Sequence, residues 1–559
     1  MIAEIFTLRG GAYLSIAGLA IWLVRLQLNS RRDARKAQQL GCKETPSYPD
    51  GLNAFGLPIL YEFYKADQAC EVEQVTIRQL EHLSKKLGRE VATYRISVLG
   101  SENIVTADEE NIHAVLVSQF NDFTLGPYRC GGFRPLLGEG IFAADGAKWA
   151  HSRALLKPQF TRSQMNDLDL EDRHISHLLD SIPSPDKDGW TSHPDFRALF
   201  HHYTLDSAME MLLGVTPGTT GFSTGMADEV DWERLTECVD LSLSMIATRL
   251  LLGPFYWIYS TPAFRRCRDE VFAFVDRCVT SALEVAKTKN ELQEKPSTAP
   301  ETPSRYVLLD ALAEHTSDPI ELREQMLNVL LAGRDTTAAF LSYLVILLAR
   351  HPRVYAKLRA EVLAKFGDGA ATTAGAEKEA GGEGEGGGRD TTTPITFDSL
   401  RACTYLQHVL HETARLYPLV PATKRFAARD TTLPRGGGPD GLSPIFVTAG
   451  TEVMYHTHAL HRSVRIWGAD AHDYVPERWT GRKLSGRCEY IPFSAGPRVC
   501  MGQQLALMKA GYFAVRFVQR FEGVDDVNAT AFGGRIRCQV ALGNSPADPV
   551  KLRLRIAKN

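Results

Sequence analysis

The longest apolar stretch of the chain predicts one long buried helix. Residues 318–321 (DPIE) mark its start with a capping aspartate, a proline in the first turn and a glutamate three positions after the cap. Pro352 marks its end near Arg350, because proline disfavours helical backbone in the residue that precedes it. The residues between are apolar on nearly every face, so we expect this helix to lie inside the protein.

Further periodic patterns define the rest of the predicted architecture. Helical periodicity recurs in several other stretches, and short β-branched runs predict strands. The predicted helices cover 175–182, 196–213, 270–286 and 405–416, and the predicted strands cover 91–99, 444–453 and 552–556. We therefore expect the α+β class, with a mostly helical body and small β-sheets.

An uncharged apolar stretch, residues 10–24, lies near the N-terminus. As a helix it measures about 22 Å, which is shorter than a bilayer core of about 30 Å unless residues 2–8 extend it. No small-residue cleavage site follows, and the next charged residues are basic: Arg25, Arg31, Arg32, Arg35 and Lys36. Because such residues stay cytosolic, we expect residues 1–44 to be a single membrane anchor. An interfacial amphipathic helix is the alternative.

Composition narrows the class of protein. The chain has 559 residues, of which 44% are hydrophobic and 23% charged, as in ordinary globular proteins. A formal charge of −3 argues against a nucleic-acid partner, because phosphate binding needs a basic surplus. Two polar segments, 287–305 and 367–394, hold few large apolar residues, and we expect them to be disordered insertions. The ten cysteines contain no CxxC pair and indicate free thiols.

Cys500 differs from the other cysteines in its surroundings. Gly496 and Gly502 lie four residues before it and two after it, which allows a tight loop around the sulfur. Arg498 adds positive charge, and a helical pattern begins after Gly502, so the helix N-terminus favours an anion at the sulfur. This pattern predicts a stabilised thiolate that ligates a metal.

The loop 493–502 (FSAGPRVCMG) resembles the haem-binding loop of the cytochrome P450 family. Other motifs of that family occur in its order along the chain: Trp149-x-x-x-Arg153, 332–337 (AGRDTT), Glu412-x-x-Arg415 and 476–479 (PERW). The resemblance implies that residues 45–559 form one catalytic domain around haem b (iron protoporphyrin IX).

The resemblance also implies a role for each motif residue. Cys500 would be the axial ligand of the haem iron, within a loop that includes Phe493 and Gly502. The candidates for the haem propionates are Trp149, Arg153, Arg425 and Arg498. Glu412, Arg415 and Arg478 would form a buried charge network that serves folding and haem retention.

Asp335 and Thr336 would be the acid–alcohol pair that supplies protons during O₂ activation. Adjacent helical residues project about 100° apart, so both side chains cannot face the haem. We expect Thr336 to face it and hold a water, and Asp335 to reload the proton relay from another side. Gly333 would permit local widening of the helix for that water.

Four further segments resemble the fungal branch that hydroxylates n-alkanes and fatty acids: 119–123, 135–142, 151–153 and 432–441. The branch implies hydroxylation near the chain terminus and attachment to the endoplasmic reticulum membrane. Candidate substrate contacts are Leu331, Ala332, Val420, Pro421 and Ala422. Because the chain has no flavin or NAD fingerprint, we expect an NADPH-cytochrome P450 reductase as electron donor, with O₂ and a lipophilic molecule as substrates.

Other functions remain open at the level of sequence. The same fold could oxidise another lipophilic secondary metabolite or a xenobiotic. It could also act as an O₂-independent lipid-peroxide isomerase or dehydratase, or as a haem or gas sensor, although the acid–alcohol pair disfavours both. A cluster at His456, His458 and His461 has spacing that could mimic a zinc site.

Overall fold

The structure, a computed structural model, describes most of the chain in two compact units. The described residues are 21, 24, 27–28, 30–49, 56–98, 101–160, 168–218, 230–293, 306–369 and 393–557. Unit 1 comprises the described residues of Met1–Glu62, Thr76–Thr124 and Thr423–His456. Unit 2 comprises those of Phe63–Val75, Leu125–Ala422 and Thr457–Asn559.

Helices dominate the described chain, in agreement with the predicted class. The α-helices are α1 (Leu57–Gln68), α2 (Val72–Leu87), α3 (Glu109–His113), α4 (Pro127–Leu137), α5 (Gly146–Leu156), α6 (Asp169–Asp180), α7 (Phe196–Leu213), α8 (Trp232–Leu251), α9 (Pro262–Gln293), α10 (Leu308–Ala313), α11 (Pro319–Arg350), α12 (Pro352–Phe366), α13 (Phe397–Arg401), α14 (Thr404–Leu416), α15 (Thr457–Leu460), α16 (Val464–Trp467) and α17 (Gln503–Arg520). The strands are β1 (Ser47–Tyr48), β2 (Thr93–Val98), β3 (Ser101–Thr106), β4 (Phe123–Thr124), β5 (Thr423–Ala427), β6 (Thr431–Gly437), β7 (Ser443–Val447), β8 (Glu452–Tyr455), β9 (Phe521–Asp526), β10 (Cys538–Val540), β11 (Asn544–Pro546) and β12 (Leu552–Ile556).

Unit 1 is built on a six-stranded sheet in the order β1-β2-β3-β8-β5-β4. β2 and β3 pair antiparallel with Thr93 opposite Thr106, and β8 runs parallel to β3. The single strand predicted at 444–453 is instead two strands, β7 and β8, in different sheets. A turn separates them, in which the Thr451 N–H donates to the Thr448 carbonyl and Gly450 has φ +85°. A positive φ is incompatible with extended strand backbone and favours glycine, so the chain turns at Gly450 between the two strands.

Unit 2 holds the long predicted helix, α11, at its centre. Asp318 caps it by accepting from the N–H groups of Ile320 and Glu321. Its first half packs in one buried cluster with α4, α8, α9 and α10, and its second half packs in another with α7, α14 and α17. The polar residues 334–337 lie between these two clusters. Within the described chain, α11 is the one helix long and apolar enough to cross a membrane, but it is mostly buried in protein.

The helix predicted at 270–286 is longer at both ends. α9 begins at Pro262 because the Thr261 hydroxyl accepts from the Phe264 N–H, which is the same cap-and-proline signal as at Asp318. Its end at Gln293 makes the first seven residues of the predicted insertion 287–305 helical. The remainder of that insertion, most of 367–394 and most of the predicted anchor lie outside the described residues.

Candidate functional site

The loop around Cys500 is closed by backbone hydrogen bonds. The Cys500 N–H donates to the Phe493 carbonyl across 2.9 Å, and the Val499 N–H donates to the Gly496 carbonyl across 3.0 Å. Gly496 has φ +67°, which a glycine adopts without strain. Gly502 has φ −83°, which any residue adopts, so its place in the loop does not depend on glycine's backbone freedom.

Cys500 is the one exposed cysteine among the ten. Desolvation by the surrounding protein raises the pKa of its thiol, whereas the Gly502 N–H and the charge of Arg153 act in the opposite direction. An exposed yet poorly hydrated sulfur faces an opening enclosed by protein atoms. This arrangement suits a thiolate ligand to a bound metal group, because the N–H and the guanidinium both favour the charged form.

Beside this opening, α5 and the Cys500 loop bring two arginines to one tryptophan. The guanidinium carbon of Arg498 lies 4.4 Å from the ring centroid of Trp149, and that of Arg153 lies 5.9 Å from it. Arg498 donates to Asp145 Oδ1 across 2.6 Å. The structure therefore brings three of the four predicted propionate contacts together.

Arg153 is a partly buried cation in a position to bind an anion. It donates to the Val499 carbonyl across 3.1 Å, and within the described chain it has no acidic partner. Partial burial lowers the pKa of its guanidinium, and the neighbouring Cys500 opposes that shift. Because a half-buried guanidinium gains from a carboxylate partner, these residues fit the propionates of a haem.

The fourth predicted contact, Arg425, lies in unit 1 on β5. Its side chain is buried, its guanidinium carbon lies 5.7 Å from the Tyr455 ring centroid, and it donates to the Lys424 carbonyl. Its contact with the haem stays a prediction.

Glu412, Arg415 and Arg478 meet in a buried network. Arg415 donates to both carboxylate oxygens of Glu412 across 2.8 and 2.9 Å, and Arg478 Nε donates to Oε1 across 3.2 Å. Glu412 and Arg415 are fully buried. Sequence reasoning missed Trp479, whose indole N–H donates to Glu412 Oε2 across 3.0 Å, although it directly follows Arg478.

The rest of the network consists of backbone groups and one further carboxylate, Asp470, whose Oδ1 accepts from Arg478 Nη1 across 2.8 Å. Arg415 donates to the carbonyls of His461, Ala471 and Asp473. Arg478 donates to the Trp467 carbonyl across 2.9 Å. Every charge in the network therefore has partners, as burial of ions requires.

The polar residues of α11 project in three directions. Arg334 Nη1 lies 2.5 Å from Asp240 Oδ1 on α8. Asp335 Oδ1 lies 3.8 Å from His201 Nδ1 on α7. The Thr336 hydroxyl donates to the Ala332 carbonyl, one turn earlier, across 2.6 Å. Successive helical residues diverge by about 100°, so Thr336 and Asp335 lie on different faces of α11, and which of them faces the haem stays a prediction.

Two residues of this cluster, His201 and Asp240, were missed by sequence reasoning because they are distant from the motif along the chain. α11 is α-helical from Pro319 to Arg350, so the local widening predicted at Gly333 is absent from this structure. A side chain at Gly333 would meet no atom within 4 Å, so the helix borders open space there.

The predicted substrate contacts lie in two places of unit 2. Leu331 borders a cavity between α4, α8, α9 and α11, whereas Ala332 lies on the face of α11 that carries Thr336. Val420 is 43% exposed. The Pro421 carbonyl accepts from the His458 N–H, and Ala422 is half-buried. All five stay predictions as substrate contacts.

The three histidines do not form a metal site. His461 Nε2 accepts from the Ile491 N–H across 2.9 Å, and Nδ1 lies 3.2 Å from the Arg415 carbonyl. Burial lowers the pKa of His461 to about 3. Within the described residues, no group of three histidine, cysteine or acidic side chains is placed to hold a metal ion.

Comparison with known proteins agrees with this geometry. The family model described as Cytochrome P450 matches residues 58–527. A cytochrome P450 monooxygenase of Fusarium sp is 40% identical over 94% of this chain and 86% of its own length. One of Alternaria solani is 36% identical over 93% of this chain and 94% of its own length. Cytochrome P450 52A5 of Candida maltosa is 39% identical over 84% of each chain.

Proposed function

Because the chain belongs to the cytochrome P450 family, we propose that it hydroxylates an aliphatic chain, an n-alkane or a fatty acid, at or near the terminal carbon. As a member of this family the protein is a monooxygenase with haem b, and it uses a lipophilic substrate, O₂ and a redox partner. The observation that carries the proposal is the resemblance of segments 119–123, 135–142, 151–153 and 432–441 to the fungal branch with that activity.

The residues around Cys500 support a defined mode of haem binding. Cys500 would ligate the iron, while Arg153 and Arg498 would bind the propionates together with the Trp149 indole N–H. When bound, a haem with a thiolate ligand supplies the electron density that favours cleavage of the O–O bond. The Phe493 carbonyl accepts from the Cys500 N–H and thereby holds the loop closed.

The central helix supports proton delivery. The Thr336 hydroxyl is oriented by the Ala332 carbonyl, and its oxygen keeps lone pairs that can accept a hydrogen bond from a water. Asp335 is 35% exposed at the side chain, so it reaches solvent and can renew the proton that Thr336 helps to place. An enzyme that isomerises a lipid peroxide needs no such relay, which disfavours that alternative.

A binding and turnover series tests the substrate class. Medium- and long-chain alkanes and fatty acids should shift the haem Soret band, and with NADPH and reductase they should yield terminal alcohols in product chromatography. A control reaction without NADPH should give no product. If aliphatic chains fail to bind while bulky aromatic compounds shift the band, the enzyme oxidises another lipophilic metabolite or a xenobiotic.

We also propose that residues 1–44 anchor the protein in the endoplasmic reticulum membrane, with the catalytic domain cytosolic beside an NADPH-cytochrome P450 reductase. The support is the apolar segment followed by basic residues. Asn528 lies in a glycosylation sequon, but its side chain donates to the Pro549 carbonyl across 3.0 Å and is a poor reporter of topology. Protease added to intact microsomes is a better test: it should degrade the domain, whereas protection would place the domain in the lumen.

A further inference from the structure

His201 of α7 faces the acid of the central helix. Its Nδ1 lies 3.8 Å from Asp335 Oδ1, which is too long for a direct hydrogen bond, so proton transfer between them requires a side-chain rotation or a bridging water. The side chains are 34% and 35% exposed, so solvent reaches both. α7 is the helix that packs most extensively against α11, which keeps the two residues side by side.

Arg334 would compete with His201 for Asp335 if it were free to turn. Its Nη1 lies 3.7 Å from Asp335 Oδ1 but only 2.5 Å from Asp240 Oδ1 on α8. Asp240 therefore holds the guanidinium in a close pair that keeps it from closing on Asp335. The Asp335 carboxylate is left without a tight ion pair to Arg334 and can exchange protons.

We propose that His201 takes up protons from solvent and passes them to Asp335. Nε2 takes one proton from water, Nδ1 releases one proton to Asp335 Oδ1, and a change of tautomer restores the ring without any transfer of electrons. This inference rests on the proposed role of Asp335 in proton delivery.

The chemistry of imidazole suits this task. Hydronium is dilute in neutral water, so a carboxylate that must be protonated in each turnover gains from a neighbouring imidazole that can bind a proton on one nitrogen and release one from the other. Burial and then the charge of Arg334 lower the pKa of His201 below its usual value, and Asp335 and Asp240 oppose that shift only in part. The charged groups that face the ring are Arg197 on α7, Asp240 on α8, and Arg334 and Asp335 on α11.

The test compares H201Q with H202Q in the full-length holoenzyme. Glutamine in place of His201 keeps a polar side chain but cannot carry the proton, and His202 is the exposed neighbour on the same helix. H201Q should lower kcat about tenfold, less than the loss of a whole general acid, because Asp335 itself reaches solvent. KM, the substrate-induced Soret shift and the reduced CO spectrum should not change, and H202Q should behave as wild type.

The pH profile separates a chemical role from a structural one. Wild-type kcat should fall as pH rises through the pKa of His201, because the protonated fraction declines, and H201Q should lose that fall. An H201Q enzyme with the wild-type profile and kcat would overturn the inference. D335N distinguishes the role of Asp335 from the inference about His201. If D335N keeps full turnover, Asp335 does not deliver protons. If D335N is impaired and H201Q is normal, only the inference about His201 is wrong.

Discussion

The two charged clusters of unit 2 differ in how tightly they are held. Around Glu412, the side chains of Glu412, Arg415 and Arg478 are buried and bonded at 2.6 to 3.2 Å to side chains or backbone groups. Around Asp335, the nearest nitrogens of Arg334 and His201 lie at 3.7 and 3.8 Å, and solvent reaches the carboxylate. The first arrangement holds charges fixed and the second leaves one free to exchange a proton. The distances between the groups, more than their number, therefore distinguish the structural cluster around Glu412 from the cluster around Asp335 that we propose transfers protons.

The largest effect should come from breaking the buried cluster around Glu412. Glu412→Ala removes the carboxylate that Arg415 and Arg478 share, so that Arg478 keeps Asp470 but fully buried Arg415 loses its paired carboxylate, and we expect the free energy of unfolding to fall by about 3–5 kcal/mol with loss of haem. Chemical denaturation and the haem absorbance measure both. The matched control is Lys357→Ala, which breaks an exposed pair with Glu477 and should cost about 1 kcal/mol or less. Equal costs for the two variants would contradict the comparison.

Next, Cys500→Ser should abolish turnover while the fold persists. The side chain is exposed, and a serine has a similar shape but provides no thiolate to the iron. The reduced CO complex should lose the red-shifted Soret band of the wild type. A variant that keeps this band with haem bound would show that another residue ligates the iron.

For the cluster around Asp335, we expect a smaller effect on stability and a large effect on the turnover rate. Asp335→Asn removes the proton donor from a partly exposed site, so kcat should fall about 10²-fold or more. The denaturation midpoint should stay near that of the wild type, in contrast to Glu412→Ala. The measurement is NADPH-driven product formation beside chemical denaturation. Unfolding of this variant would place Asp335 among the structural residues.

The smallest effect concerns the stability of the folded protein in acid, to which two histidines near the Glu412 cluster contribute. Burial lowers the pKa of His461 to about 3 and that of His411 to about 4, both from 6.5. The unfolded chain therefore binds protons that the folded chain rejects, and stability should decrease as pH falls from about 6.5 towards 4. Replacing His411 by Gln should make denaturation midpoints less sensitive to pH across that window. An unchanged slope would refute the assignment to His411.

Much of this molecule was predictable because its signals are local. The bounds of α7 and α11 follow from periodicity, caps and prolines. The closed loop at Cys500 lies where the motif predicts it. The prediction failed where a local signal was overlooked, as at Thr261, whose cap extends α9, and at Gly450, whose turn divides one predicted strand into two.

The amino-acid sequence by itself determined the family and the elements that carry the motifs, because these depend on residues close together in the chain. Only the tertiary structure decided which distant side chains meet. His201 comes near Asp335 because α7 packs on α11, and Asp240 pairs with Arg334 because α8 belongs to the same buried cluster as the first half of α11. Such pairs arise from packing over more than ninety residues of separation, and local patterns carry no information about them.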